Sequence, residues 1–399
     1  MILERLVGSG HAVDLFAIDG FVRPAELIGL DRLDYVPIRV GPLQAGWRAV
    51  EAIPGAARRP ATVVYSTASD AAHLAAIDRE IGRRHAANPY DLLLVIGLLS
   101  PFRVAGLPCL SWPQGTPTGE WQALRRLRKQ VAKFGGWPLY FGLKSFYALR
   151  TRQARSRVGH SAAIACASRW AADGWAAFGV PSDRIFTCPY PLDLDLIRPG
   201  PPGRTPGPFR FLWLGRIVPR KRLDLAIDAL RLLRRDRPEA TLTVVGRVAY
   251  CRGYERLLAE AVRQSGVEHR PSVPRSEIPA LLHASDAILQ PSENEEIGSA
   301  VLEGLAAGLP AVLGPTNGTR DYTGAAGFTF DAYTPESVCD AMIRAMDAAR
   351  SDRDGLTAVA RAEAERHLRP EAVLARFEQI LAAVIDRNRP SLRADPAVD

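Results

Sequence analysis

Between Pro199 and Pro208 the chain reads PGPPGRTPGP, with five prolines and three glycines in ten residues. Proline fixes φ and donates no backbone hydrogen bond, so this stretch fits neither a helix interior nor a central strand. It marks a linker, and it divides the 399 residues into two parts of ordinary domain size. On both sides of it short apolar runs alternate with helical patterns. Before it, Ala12–Ile18, Asp91–Ile96, Cys109–Trp112 and Ala162–Ala167 read as strands. After it, strands are expected at Phe209–Leu214, Leu242–Val245, Ala287–Gln290 and Ala311–Leu313. Helices are expected at Leu223–Arg235, Tyr254–Ser265, Ile278–Ala284 and Ser299–Ala307. Strands without polar–apolar alternation, separated by helices, belong to parallel sheets covered on both faces. The fold class is therefore α/β, with two parallel-sheet domains and a ligand cleft beyond the carboxyl ends of the strands.

The organisation expected is an N-terminal domain over 1–198, a linker at 199–208 and a C-terminal domain over 209–369. A helix at 370–387 follows, expected to pack back on the N-terminal domain, and then a flexible tail at 388–399. Hydrophobic residues make up 47% and charged residues 24%, a globular composition that excludes collagen, coiled coil and wholesale disorder. The longest apolar run, Leu92–Leu99, falls far short of the roughly 20 residues that span a bilayer. Glu4 and Arg5 interrupt the first residues before an apolar signal core can form. Cys109, Cys166, Cys188, Cys251 and Cys339 lie far apart with no C-x-x-C pair, and the histidines are equally dispersed. This reads as a reduced, cytoplasmic protein with no metal site and no cofactor.

The net charge is +8, and its distribution is uneven. From Trp121 to His160 there are ten basic residues and no acidic one. Trp121, Phe134, Trp137, Tyr140, Phe141, Phe146 and Tyr147 are interleaved with them. Cations among aromatics suit an anionic membrane surface contacted through 121–157. A helix pair with a solvated face fits the same pattern, and nucleic acid is the least favoured partner.

Two segments carry chemistry. Gly215–Lys221 (GRIVPRK) follows the first strand of the C-terminal domain. Gly215 lets a ligand approach the backbone, and Arg216 and Lys221 place two cations where a diphosphate would be held. Alone, such a loop also reads as surface charge. Pro291–Gly308 (PSENEEIGSAVLEGLAAG) puts Glu295 in a loop after a strand, with Gly298 and Ser299 opening a helix. Ser299 is the expected N-cap, and a helix N-terminus cradles phosphate. Glu303, early in that helix, would bond sugar or ribose hydroxyls.

These residues resemble the family 4 glycosyltransferases, retaining enzymes of the GT-B fold. The shared pattern is G-R-x-x-x-x-K after a strand, a strand ending in Gly246, and E-x7-E followed by A-x-G-x-P, from about Phe209 to Asp331. The resemblance implies two Rossmann-like domains with an interdomain cleft, the N-terminal one on the acceptor side. It implies a nucleotide-diphosphate sugar donor, UDP- or GDP-linked, and a glycan or lipid-linked acceptor. Arg216 and Lys221 would stabilise the leaving diphosphate, and Glu295 would contact the transferred sugar. Ile297 and the amides of Gly298, Ser299 and Ala300 would lie at the donor, Glu303 at the ribose, and Gly246, Arg270 and Ser272 near the base. No metal would be required, and substitution would occur on the front face.

Three features depart from the family pattern. Glu296 and Ile297 stand where a glycine and an aromatic are usual. Gln114, followed by Gly115, stands where an acceptor-side histidine is frequent. The chain opens inside the first helix, so the first strand is expected to be missing. Asp193-Leu194-Asp195 looks like a D-x-D metal motif, but its place before the linker points to turn chemistry. The competing readings are a catalytically inactive nucleotide-sugar-binding protein and a nucleotide-sugar epimerase of the same fold.

Overall fold

A computed structural model describes residues 1–18, 30–38, 74–97, 104–201, 207–264 and 266–392. The middle of the Pro/Gly stretch, 202–206, and the end of the expected tail, 393–399, lie outside the described residues. The strands are β1 (Val13–Ile18), β2 (Leu33–Ile38), β3 (Leu93–Ile96), β4 (Cys109–Trp112), β5 (Ala163–Cys166) and β6 (Ile185–Thr187). The second half adds β7 (Arg210–Leu214), β8 (Thr241–Val245), β9 (Val267–Arg270), β10 (Ala287–Gln290), β11 (Ala311–Leu313) and β12 (Gly327–Thr329).

The chain forms two compact units. One is built from residues 1–113, 145–164 and 374–399. In it β1 pairs in parallel with β2, and β4 pairs in parallel with β3 and with β5. Its core gathers Val36, Ile77, Ile81, Val95, Leu107 and Cys109. Trp112 stacks on Phe377 at 4.7 Å between ring centroids, and Arg5 forks onto the Glu378 carboxylate. The last helix is Pro370–Leu392.

The other unit comprises residues 114–144 and 165–373. Its six-stranded sheet runs in the order β12-β11-β10-β7-β8-β9, with all the pairs parallel. That is the doubly wound Rossmann order, and it reverses between β7 and β10. Alternate residues of each strand feed two cores. Phe211, Trp213, Leu242, Val244 and Leu289 enter one, and Leu212, Val245, Ile288, Ala311 and Leu313 the other. This is why the strands read as unbroken apolar runs, each large side chain contributing roughly 1.5–3 kcal/mol through burial. The helix Leu223–Asp236 buries Leu223, Ile227, Leu230 and Leu233, a stripe at helical spacing. Gly304, in the helix Ser299–Ala306, lies so close to Ile288 that a Cβ would overlap it.

The 114–144 segment belongs to this second unit. Thr116 caps the helix Pro117–Arg126, accepting from the Gly119 amide. The helix Arg128–Gly135 then brings Phe134 onto Tyr254, with ring centroids 4.1 Å apart.

Candidate active site

The loops that follow β7 and β10 meet where the strand order reverses. After β7, Gly215 donates its amide to the Val245 carbonyl at 3.0 Å. The Gly246 backbone comes so near that a Cβ there would overlap the Gly215 carbonyl oxygen, so this position requires glycine. Ile217 and Val218 are buried and anchor a 3-10 turn, Pro219–Lys221. Arg222 closes the turn in the left-handed region, at φ 49°, and the helix Leu223–Asp236 starts there.

After β10, Pro291–Glu296 is buried although it carries three carboxylates. The backbone is strapped to the neighbouring segment. The Glu295 amide donates to the Thr316 carbonyl at 3.1 Å, and the Gly318 amide donates to the Glu295 carbonyl at 2.8 Å. Asn294 adopts φ 59°, which turns successive side chains to different sides. Glu293 takes Arg222 at 2.5 Å and Arg126 at 3.4 Å. Glu295 takes the Lys221 ammonium and, at 3.2 Å, the Arg220 guanidinium. Glu296 accepts from the Ala167 amide at 3.1 Å.

Burial pushes the Glu295 carboxyl up, but Lys221 and Arg220 outweigh it and hold the pKa below the usual carboxylate value. Lys221 is pushed below its ordinary value by burial and by the nearby Arg220 and Arg216, against the attraction of Glu295. Arg216 itself is exposed at the strand end, close enough for its charge to act on Lys221. The site therefore sets Lys221 and Arg220 against one ionised carboxylate, with Arg216 near enough to act on Lys221, a concentration of positive charge suited to a polyanion.

The other expected residues have definite places. Glu303 is buried in the helix Ser299–Ala306, 3.4 Å from Arg275; burial raises its pKa and Arg275 opposes the rise. The N-cap is Gly298 and not Ser299, which is the first helical residue and exposed. The backbone turns extended at Gly298, whose own amide donates to Thr319 Oγ1 at 2.7 Å. Ala300 is buried in the first turn. Ile297 packs against the apolar core that holds Val301 and Leu305. Arg270 ends β9, pairs with Glu268 at 2.7 Å and lines a cavity of about 260 Å³ with Thr243, Val273 and Glu277. Ser272 accepts from Arg247 at 3.1 Å. Gln114 is exposed and Gly115 buried just after β4. Asp193 Oδ1 accepts from the amides of Asp195 and Leu196, the turn chemistry expected of that pair.

Sequence reasoning passed over Arg220, which occupies a variable position of the G-R-x-x-x-x-K pattern. It also passed over Arg222, Asp224 and Glu293, which close a buried cluster with Tyr254 donating to Asp224 at 3.1 Å. A signal was available: three consecutive cations, Arg220 to Arg222, facing a loop with three acidic residues.

The basic stretch is less uniform than its composition. Arg126 and Arg157 have acidic partners from elsewhere in the chain, Glu293 and Asp78. Phe134 and Tyr140 are buried, whereas Trp137 and Phe141 are 52% and 56% exposed. None of the described helices is long and apolar enough to cross a membrane.

Comparison with known proteins gives a family match that includes the loops after β7 and β10. Residues 200–361 match the family model described as glycosyl transferases group 1. A D-inositol 3-phosphate glycosyltransferase from Pseudarthrobacter chlorophenolicus is 32% identical over 165 residues, 39% of each chain. A GDP-mannose-dependent alpha-(1-6)-phosphatidylinositol monomannoside mannosyltransferase from Mycolicibacterium smegmatis is 28% identical over 186 residues, 43% of this chain and 49% of that one. The match thus spans less than half the length of either relative. Among solved structures, sucrose-phosphate synthase from Thermosynechococcus elongatus superposes with a TM-score of 0.68 at 15% identity, covering 97% of this chain and 92% of that one. The fold is the GT-B type, two Rossmann-like domains in one chain.

Proposed function

We propose that the protein is a retaining glycosyltransferase that moves a sugar from a nucleotide-diphosphate donor to a glycan or lipid-linked acceptor, a reading supported by the match of residues 200–361 to the glycosyl transferases group 1 family model. The observation that carries this reading is the pairing of Arg220 and Lys221 with Glu295, with Arg216 close to Lys221, at the strand-order reversal. In an open α/β sheet that is where a nucleotide sits. The donor diphosphate takes the cations, and Glu295, released from Lys221, turns to the hydroxyls of the transferred sugar. As the glycosidic bond to phosphate breaks, negative charge grows on the leaving oxygen, and the fixed cations stabilise it. The amides of Ser299 and Ala300 add the positive end of their helix, and Glu303 bonds the ribose. The base lies near Gly246, Arg270 and Ser272. With this cationic set, catalysis proceeds without a metal ion, and the leaving phosphate assists removal of the acceptor proton on the same face. UDP- and GDP-sugars are the donor class; one relative is named for GDP-mannose, and both relatives are named for inositol-containing acceptors.

The acceptor is presented at the cytoplasmic face of an anionic membrane, contacted by Trp137, Phe141 and the cations beside them. Each Lys or Arg near such a surface contributes about 1 kcal/mol, so Lys133, Lys144 and one inserted aromatic give reversible attachment. Co-sedimentation with anionic liposomes at low salt, lost at high salt, is the expected result, and its absence returns the acceptor to solution.

The test of the function is incubation with a panel of UDP-, GDP- and ADP-sugars in excess EDTA, following donor loss and product anomer, alongside thermal shift with each ligand. The expected result is donor turnover with a retained anomer. Stabilisation by a nucleotide sugar without turnover makes the protein an inactive binder. A rearranged donor sugar without acceptor makes it an epimerase. Loss of activity in EDTA, restored by Mg²⁺ or Mn²⁺, overturns the metal-free chemistry.

A further inference from the structure

Glu295 and Glu296 are consecutive and buried, yet of the two only Glu295 has cationic partners among the described residues. The Glu296 side chain turns away from them. Its Oε1 accepts from the Ala167 amide at 3.1 Å, and its Oε2 is buried with no hydrogen-bond partner among the described residues. Ala167 lies in the turn between β5 and the helix Arg169–Ala177, which Ser168 caps. That turn is held at three points. Glu296 takes the Ala167 amide, Tyr322 donates its hydroxyl to the Ala167 carbonyl at 2.6 Å, and Asp321 accepts from the Arg169 amide at 2.7 Å. Gly318 sits between the two segments, where a Cβ would overlap both the Glu296 carbonyl and the Ser168 hydroxyl.

We propose that Glu296 is a positioning residue for the transfer reaction: by tying its loop to the turn at Ala167, it holds the adjacent Glu295 opposite Lys221 and Arg220. The inference rests on the reading of that cluster as the donor site. Tying the 296 side chain on one side fixes the loop backbone, and with it the Cα–Cβ direction from which the 295 side chain reaches the other side and from which it can turn to a bound sugar. Freed from Glu296, the loop keeps its backbone bonds to 314–319 but loses its only side-chain contact with the Ala167 turn among the described hydrogen bonds.

The charge state of the tie follows from its surroundings. Glu296 is faced by Glu295, the Cys166 thiol and the Tyr190 phenol, none of them a cation. Burial and, beyond it, the charge of Glu295 push its pKa up to about 8, against the pull of the Ala167 amide. At neutral pH the tie is a neutral carboxyl. In the unfolded chain the same group ionises in the ordinary carboxylate range. Between that range and about pH 8 the folded state holds a proton that the unfolded state has released, so stability falls as pH rises and the loss is complete above about 8. Glu296→Gln removes this dependence.

The test has three arms on the full chain. Without any ligand, amide exchange at Ala167 is compared in wild type, Glu296→Gln and Glu296→Ala. The glutamine oxygen still accepts, so Gln matches wild type, and Ala exchanges about tenfold faster, the scale of one hydrogen bond. In the second arm, the unfolding midpoint declines from pH 5 to pH 8 in wild type more steeply than in Glu296→Gln. The third measures donor turnover. Glu296→Ala lowers kcat by up to about 10²-fold with donor KM little changed, because a displaced catalytic contact costs rate more than binding. Glu296→Gln keeps kcat near the wild-type value, because the glutamine oxygen still accepts from the Ala167 amide. Unchanged exchange in the Ala variant, parallel midpoint profiles, or a Gln variant as slow as Ala overturns the proposal. A wild type that turns over no donor while the first two arms hold removes the transfer reading and leaves the tie without a reaction to serve.

Discussion

Two clusters of opposite charge share one turn and one loop, and they differ in how they meet water. Arg220 and Lys221 face Glu295 with side chains 23% and 14% exposed, whereas Arg222 faces Glu293 with both at about one-twentieth, 6% and 5%. Arg222 has further partners in Asp224 and, across a cation–π distance of 5.9 Å, the Tyr333 ring. Burial pulls its pKa down, but Asp224 and Glu293 more than compensate, so it stays charged. Such a closed cluster, with every charge answered inside the fold, can give up no partner without leaving a bare charge. The cluster one residue earlier is open at its edge, so Lys221 can exchange Glu295 for an incoming phosphate. The same chemistry thus serves as a fastening in one place and as a site in the other, and exposure separates the two.

The largest effect expected from this contrast is in stability. Arg222→Ala leaves Glu293 and Asp224 buried without their cation and costs about 3–5 kcal/mol, read as a fall in the urea midpoint. Next comes rate. Lys221→Ala and Arg216→Ala each lower transfer by about 10²–10³-fold, the usual cost of one donor to the developing charge, with the urea midpoint near wild type. Stability loss in Lys221→Ala matching that of Arg222→Ala would erase the distinction between the clusters. Near-normal turnover in either variant of the open cluster would remove the diphosphate from it. The smallest effect sharpens the picture of the closed cluster. Tyr254→Phe removes one hydrogen bond to Asp224 and costs about 1 kcal/mol, with turnover unchanged in steady-state assay.

Much of this arrangement was legible before any coordinates. The apolar runs that became β4, β10 and β11 are delimited in the sequence by Gly, Pro and polar neighbours, and the structure has the same bounds. The glycine after β7 and the E-x7-E spacing after β10 place Lys221 and Glu295, and the fold brings them together. Other parts were hidden for physical reasons. β9 reads Val-Glu-His-Arg at the sheet edge, where half the side chains meet solvent, so no apolar run announces it. β6 and β12 are three residues each, too short for a period. β2 holds Pro37, which argues against a central strand but is tolerated at an edge. The pairing of Arg222 with Glu293 spans 71 positions, and no local pattern encodes which cation faces which carboxylate. Likewise, ten cations without an acidic neighbour in sequence suggested an uncompensated surface, yet the fold supplies Glu293 and Asp78 to two of them.

The stacking of Phe134 on Tyr254 has a practical meaning for anyone dissecting the chain. The Pro/Gly stretch invites a cut at residue 199, and the C-terminal piece would carry the whole six-stranded sheet. It would also have lost the Phe134 ring and the Arg126 guanidinium. An aromatic face would then lie open to water, and Glu293, at the base of the site, would have Arg222 alone to answer it. Such a fragment is expected to be sticky and poorly behaved in isolation, whereas restoring residues 114–144 on the same polypeptide would cover the exposed ring.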